Sequence, residues 1–546
     1  MTSSAVPPIR WRSLLILLAV TVAVAIGIQF VDAINDNSVR NAISLIAAGV
    51  AFVGSLIWLY RTLAPRVVAS NRVVSRFVAA AISLSLLMLP VALFRIRGFS
   101  GEIIPHIEFR FAGPRQFRAE PVVYVEEDDM AVAGAVDFPQ FLGPERDGVI
   151  ARRDFAIPPD ALPKPLWRIE VGEGWSGFAV AGGRCVTLEQ RGDEECVVCY
   201  RLTDGELLWI QRETARHEHP LGGIGPRSTP TVHEGRVYTQ GATGIVHCFD
   251  LRTGESVWRV DLLQIAGWTQ QESERQIAWG RAGSPLILEG LCVLPLGGPE
   301  SLLEGKDIDG VRYRGRGLIA LDAVDGQIRW VGGDDQISYA SAMRMTLAGQ
   351  DQLVIVNEKS ISGHAIDDGK TLWTTRWPGQ SNGGANCASA IRVDDSAFVV
   401  GKAYGTGSAV FEVTYDESDG WSVRDRWKRP GVLKTKFSHT SVLGDHGFGL
   451  SDGTLECVDL TTGKRAWAQP RGARYGHGQS LLVEDLVVIQ AESGEIAIVE
   501  ARTDRFEPRL VAPALTSKTW NVPAIAGRFL LVRNDVEAIA YELPTR

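Results

Sequence analysis

The sequence predicts an all-β fold, an eight-bladed β-propeller with seven blades as the alternative count, preceded by three transmembrane α-helices. Three observations lead there. Uncharged apolar stretches crowd the first 100 residues, a phrase ending in Trp recurs from residue 165 onward, and Gly and Trp are abundant, at 57 and 15 of 546 residues. Four short strands per unit, with Gly at the turns and one aromatic per unit, describe a propeller blade.

The first element is a membrane anchor over residues 1–97. Stretches without a charge run from 13 to 31, from 41 to 60 and from 77 to 94. Each has roughly 18 to 20 residues, enough for a helix to cross ~30 Å of hydrocarbon. Two more apolar stretches follow the first, and no small-x-small cleavage site precedes Asp32, so the first reads as a span rather than a signal peptide. Arginines set the orientation, because positive residues in short loops stay in the cytoplasm. Arg10 and Arg12 precede the first span, and Arg61, Arg66, Arg72 and Arg76 separate the second from the third, against Arg40 alone in the first loop. This places the chain in the inner (cytoplasmic) membrane, with its N-terminus in the cytoplasm and the propeller in the periplasm. Pro90 within the third span is tolerable in a membrane helix. No Asp, Glu, Lys or His falls inside a span, which argues against a transport pathway.

Residues 98–164 form a Pro-rich linker and lead-in. Its acidic run, Glu126, Glu127, Asp128 and Asp129, reads as solvated linker rather than a cation site.

The propeller occupies 165–546. The phrase recurs as YRLTDGELLW (200–209), FDLRTGESVW (249–258), LDAVDGQIRW (321–330), AIDDGKTLW (365–373) and VDLTTGKRAW (458–467). Degenerate copies stand at 415–427 and 499–508, and an eighth begins at AIAYELPTR. In each, Asp or Thr bonds the turn backbone and Gly supplies a positive φ, the chemistry of a tight hairpin. PLWRIEV (165–171) is an orphan Trp-bearing strand, and the last unit stops before its own. Pairing the two closes the ring and removes its exposed edges. Residues 297–316 read as an inserted loop, and RYRGRG (312–317) within it as a solvated hairpin.

These phrases resemble the pyrroloquinoline quinone (PQQ)-like propeller repeat, A-x-D-x-x-T-G-x-x-x-W, over about 165–546. FPQFLGPERDGV (138–149) is similar to a segment that precedes the propeller in many bacterial members. The resemblance implies the fold, and packing of Trp167, Trp209, Trp258, Trp330, Trp373, Trp427 and Trp467 between blades. It spans two branches: the outer-membrane protein assembly lipoproteins, which are non-catalytic, and more distantly the quinoprotein dehydrogenases. A dehydrogenase of this family requires PQQ with Ca²⁺, a carboxylate base and, in many members, adjacent cysteines. None of the seven cysteines here is adjacent to another, and there is no C-x-x-C-H haem signature. Cys196 and Cys199, three residues apart on a strand, face opposite sides and cannot readily share a metal.

The candidate site is positional, because the first strand of every blade lines the channel. The openings of these strands offer Ser176, Arg227, Arg281, Asn386, His439, His477, Gln479, Trp520 and Asn521 as a ligand-binding set at the channel mouth. Their donors, cations and aromatic face suit an anionic or polar ligand. The competing reading is that small residues stand there because inner strands crowd the axis. His217 and His219 make two ligands without a third, and LGGIGPR (221–227) lacks the helix that a phosphate loop requires.

Net charge is −8 and no long basic run occurs, which argues against nucleic acid as a partner. The expected function is that of a membrane-anchored periplasmic binding or scaffold module. Its partner is a periplasmic or envelope protein, a peptide or a carbohydrate polymer, and no catalytic residue, metal or cofactor is expected. The alternative is a PQQ-dependent quinoprotein oxidoreductase.

Overall fold

The computed structural model describes residues 9, 11–31, 37–67, 71–112, 137–308, 310–470 and 473–546. The acidic run at 126–129 lies outside them. The chain divides into two compact units, Met1–Gln116 and Phe117–Arg546.

The first unit holds three helices, α1 (Trp11–Gly27), α2 (Asn37–Leu63) and α3 (Arg72–Leu93). Helices α2 and α3 outrun their uncharged windows, because Arg40, Arg61, Arg72 and Arg76 sit at ends where an arginine continues a helix without burying charge. Both are long and apolar enough to cross a membrane, with mean hydropathy of 2.2 and 2.0. Helix α1 differs from the expected span over 13–31. It has 17 residues and gives way to a 3₁₀ turn at Ile28–Phe30, so its α-helical part is only about 26 Å long at 1.5 Å per residue. Among the described residues, two helices rather than three are thus of membrane length. The helix α3 carries Pro90 in its last turn and ends at a hairpin, Phe94–Phe99 against Pro105–Phe109, where the sequence suggested irregular linker. That hairpin meets the start of α2: Ser38 Oγ donates to the Gly101 carbonyl (3.3 Å) and Asn41 Nδ2 to that of Glu102 (3.0 Å).

The second unit is an eight-bladed propeller. Blade 1 runs outward through Ala179–Ala181, Arg184–Arg191, Glu194–Arg201 and Leu207–Thr214. The inner strands of blades 2 to 8 are Thr231–His233, Leu286–Leu288, Met343–Leu347, Ile391–Arg392, Ser441–Leu443, Gln479–Val483 and Ala524–Ala526. Closure occurs as the orphan strand suggested: Trp167–Glu170 supplies the outer strand of blade 8, with Ala540 opposite Trp167 and Glu537 opposite Glu170. Arg533 of blade 8 reinforces the joint from within. It is 1% exposed and donates to Leu188 O (2.9 Å) in blade 1 and to Gly172 O (3.0 Å).

The repeat phrase specifies the joints between blades. Trp209 Nε1 donates to Leu251 O in the next blade (2.9 Å), Trp258 to Ala323 O (3.1 Å) and Trp330 to Ile366 O (3.0 Å). Each indole lies on the turn glycine of the blade it reaches: Trp209 on Gly254, Trp258 on Gly326, Trp330 on Gly369. These glycines have φ of +73°, +77° and +69°, and a Cβ would meet indole atoms within 2.9 Å, so both the turn and the stacking require Gly. Trp373 is the exception. Blade 5 ends in two ten-residue strands, Gly407–Asp416 and Gly420–Arg429, which carry its turn away from the joint. Trp373 instead bonds Gln352 Oε1 in its own blade (2.5 Å) and stacks on Phe398.

The insertion folds as a short 3₁₀ turn and a hairpin, Lys306–Ile308 against Val311–Tyr313. Two short helices, α4 (Leu262–Ala266) and α5 (Gln270–Gln276), join blade 2 to blade 3. Nothing in the repeat pattern signalled them.

Candidate functional site

The two ends of the central channel are built differently. One is crossed by the lead-in. Phe138 exchanges two backbone hydrogen bonds with Val180 of blade 1 (2.8 Å each), and Val232 of blade 2 donates to Pro139 O (2.7 Å). Val149 and Ile150 add a parallel strand beside Leu482 and Val483 of blade 7. Between them Arg146, 3% exposed, donates to Ser284 O (2.6 Å), Pro285 O (2.9 Å) and Ala342 O (3.1 Å) at blades 3 and 4. Blades 3 and 7 are opposite one another in a ring of eight, so a segment fastened to both passes over the axis. Burial pushes the Arg146 guanidinium down to about 9. Part of the expected linker is therefore a strap across the channel.

Small residues ahead of the inner strands form a cross-blade ladder. Thr229 N–H donates to Ser284 Oγ (2.9 Å), Ser284 N–H to Ser341 Oγ (2.9 Å) and Ser341 N–H to Ser389 Oγ (3.0 Å). A serine supplies an acceptor where two backbones are too close for a larger side chain, which is the crowded-axis reading.

Of the nine candidate residues, His477, Gln479, Trp520, Asn521 and Ser176 come together around blades 6, 7, 8 and 1. Gln479 Nε2 donates to Phe437 O (2.9 Å), and Asn521 Nδ2 to Ser176 O (2.7 Å). Glu492 accepts from Trp520 Nε1 (2.8 Å) and from His477 N–H (2.9 Å). Trp520 lies 4.9 Å from both Trp175 and Phe437, ring centre to ring centre, and Phe437 lies 5.5 Å from His477. Arg227 stands nearby, but its guanidinium is spent on the carbonyls of Gly222 (2.8 Å), Gly223 (3.0 Å) and Gly225.

The other three lie apart. Arg281 is buried beside Gly244, donating to Leu296 O (2.6 Å), and its Nε and Nη2 have no hydrogen-bond partner among the described residues. Burial lowers its guanidinium to about 10. Asn386 Nδ2 donates to Asn357 O (2.8 Å) and Glu358 O (3.1 Å). His439 faces Phe141 of the strap at 5.2 Å with neither ring nitrogen bonded among the described residues, and burial, then Arg146, push it down to about 4.

The sequence reading passed over Trp175, Phe437, Lys436 and Lys518. Lys518 Nζ stands 3.8 Å from the centre of the Trp520 ring and 4.8 Å from that of Trp175; Lys436 Nζ stands 5.2 Å from that of Tyr404. Trp175, Phe437 and Trp520 each stand four residues ahead of their inner strand, a shared offset visible in the sequence. Burial, with Lys436, Arg474 and Lys434 around it, holds His477 well below the usual histidine range. On the blade 3–4 side Trp279 stacks on Tyr339 at 5.1 Å.

His217 and His219 do not converge on a common centre. His217 Nδ1 lies 3.4 Å from Glu274, whereas His219 Nδ1 accepts from the Leu221 and Gly222 N–H groups. Cys196 and Cys199 pack into separate cores on the two faces of blade 1. Among the described residues no three His, Cys, Asp or Glu side chains gather as a metal site.

The model of the family described as outer membrane protein assembly factor BamB matches residues 163–298 and 244–469, more than half of the chain. This chain belongs to that family. BamB of Shewanella oneidensis is 24% identical over 262 residues, covering 46% of this chain and 58% of that protein. BamB of Xanthomonas campestris is 30% identical over 109 residues, 20% of this chain and 21% of the relative. The matches therefore span about a fifth to just over half of these relatives' lengths. Among solved structures, BamB from Moraxella catarrhalis superposes with a TM-score of 0.47 at 14% identity, over 70% of this chain and 99% of the other. Quinohemoprotein alcohol dehydrogenase from Comamonas testosteroni superposes with a TM-score of 0.52 at 13% identity, over 77% and 83%. At that identity the second likeness speaks for the propeller fold alone.

Proposed function

We propose that this chain is a membrane-anchored scaffold of the cell envelope, whose propeller holds a protein partner engaged in outer-membrane assembly. The observation that carries this reading is membership of the BamB family. The closed ring supports it, since a rigid toroid presents loops without itself moving. Helices α2 and α3 would supply two spans of the anchor and α1, continued by its 3₁₀ turn, the third; with three spans the arginine distribution favours a propeller outside the cytoplasm. The residues present do not favour a quinone with calcium at the mouth, because Glu492 is already bonded to Trp520 and His477 and, among the described residues, no three His, Cys, Asp or Glu side chains gather there to hold a cation.

The test is photocrosslinking in native membranes from Leu221, which is exposed beside the mouth, against the exposed outer position Val324. Reproducible capture from Leu221 of one outer-membrane assembly protein is the expected result. Failure to capture such a protein, together with dye reduction by the purified chain supplied with PQQ, Ca²⁺ and an alcohol, would overturn the reading.

A further inference from the structure

The first unit carries an apolar surface of its own. Its hairpin is a sheet of two strands only, Phe94–Phe99 and Pro105–Phe109, and two strands by themselves are marginally stable in water. Phe94 pairs with Phe109 and Ile96 with Ile107, so these four side chains share one face. Phe111 extends the row, its ring centre 5.6 Å from that of Phe109, which in turn lies 6.0 Å from that of Phe94. All five are exposed, from 43% at Phe94 to 68% at Phe111. The opposite face is polar: Arg95 is paired with Glu108, and Arg97 lies 3.9 Å from the same carboxylate.

The attachments of the hairpin decide what meets its apolar face. The first strand begins where α3 ends, with the Phe94 N–H on the Pro90 carbonyl. The second strand returns to the same helix end, where Arg110 donates from its backbone to Leu93 O (2.7 Å) and from Nη2 to Val91 O (2.9 Å). These bonds satisfy carbonyls that a helix terminus leaves open. The turn between the strands is fastened to the start of α2 through Ser38 and Asn41, so the hairpin reaches from the end of one helix to the start of the other. Helix α3 has 22 residues and is about 33 Å long, close to the ~30 Å thickness of a bilayer's hydrocarbon. Its last turns expose Met88, Leu89 and Val91, and no charged residue stands between Arg76 and Arg95. The apolar row of the hairpin therefore continues the apolar surface of the helix. With α3 as a span, it does so at the level where acyl chains meet headgroups. Phenyl and aliphatic groups on one face and charged groups on the other suit that boundary.

We infer that the face of Phe94, Ile96, Ile107, Phe109 and Phe111 lies in the phospholipid interface of the bilayer. The inference rests on α3 as a membrane span and names what the continuation of that span binds. Seated there, the hairpin turns Arg95 and Glu108 to water and fixes the level from which the chain leaves the bilayer.

The test uses the full chain reconstituted in vesicles of phosphatidylethanolamine and phosphatidylglycerol. A phospholipid with a diazirine near the glycerol end of its acyl chain is photocrosslinked to the unsubstituted chain, and the labelled residues are mapped by mass spectrometry. Adducts are expected within residues 94–111 as well as on α3. Ile107→Cys and His106→Cys, adjacent positions on opposite faces of one strand, then carry an environment-sensitive nitrobenzoxadiazole label, with the parent chain as background. The Ile107 label is expected to emit at shorter wavelength than the His106 label, to lose quenching by iodide and to gain quenching by a lipid nitroxide. Because the crosslinking needs no variant, a hairpin disturbed by a label leaves the inference testable. Adducts on α3 alone, equal iodide quenching of the two labels, or an Ile107 label shielded from iodide and nitroxide alike by a protein cover would overturn it. Retention in the vesicles through an alkaline carbonate wash reports the span separately. If the chain is retained without hairpin adducts, the interface inference falls and the anchor stands. If the chain is released, the anchor falls and takes the inference with it.

Discussion

The strapped end and the open mouth of the channel use the same residue types to different ends. At the strap, Arg146 is buried, and each of its nitrogens donates to a fixed backbone carbonyl. At the mouth, Lys518 and Trp520 are half-buried, and the lysine lies over the Trp520 and Trp175 rings. A buried cation held by carbonyls serves the fold, since removing it strands acceptors away from water. A half-buried cation on an aromatic face contributes less to folding, because water still reaches it.

That contrast breaks if the strap proves dispensable. Arg146→Ala leaves the Ser284 and Ala342 carbonyls without a donor, Pro285 O keeping the Thr231 hydroxyl, and is expected to cost roughly 3 kcal/mol, seen as a lower denaturant midpoint. An unchanged midpoint would remove the strap as a structural element.

Next in size is the acid response at the same end. His439 has a folded value of about 4 against 6.5 unfolded, so the unfolded chain takes up its proton first as pH falls. Stability held above pH 6.5 is then lost down to about pH 4, by about 3 kcal/mol from this group. Glu195, raised by burial to about 7, works in the opposite sense, losing its contribution as pH rises. The His439→Gln variant is accordingly compared with the parent at each pH, and its stability should fall less steeply from pH 6.5 to pH 4.

At the mouth the expected effects on folding shrink. Trp520→Leu removes two ring contacts and one hydrogen bond and should cost about 1 to 2 kcal/mol. Lys518→Gln should change unfolding by less than about 1 kcal/mol, while its intrinsic tryptophan emission shifts through loss of the ammonium beside Trp175 and Trp520. A Lys518→Gln loss as large as that of Arg146→Ala would erase the distinction between the ends.

Much of the ring was legible because its joints are local. The Gly of T-G-x-x-x-W and the Trp that follows belong to one phrase, and Trp167, Trp209, Trp258, Trp330 and Trp427 each meet the next copy's Gly, so repetition alone implies the contact. Trp373 departs from this because the receiving turn in blade 5 is displaced by longer strands, and strand length is poorly marked in YDESDGWSVRDRW. The site was less legible. Ser176 and Asn521 are 345 residues apart in sequence and are joined by ring closure. Arg227 and Arg281 had the composition of anion-binding groups, yet carbonyls that the sequence does not reveal take up the Arg227 guanidinium and one edge of that of Arg281.

By itself the sequence determined the apolar helices, the repeated four-stranded blade and the strand that closes the ring, and it narrowed the blades to eight or seven. Each follows from spacing along the chain: uncharged length, period, turn glycine and an unmatched first strand. Tertiary structure alone decided that FLGPERDGV crosses the channel, that Arg281 and His439 turn away from the mouth, and that Lys518 settles on Trp175 and Trp520. Those outcomes depend on distances across a closed ring, where residues hundreds of positions apart compete for the same carbonyls and the same aromatic faces.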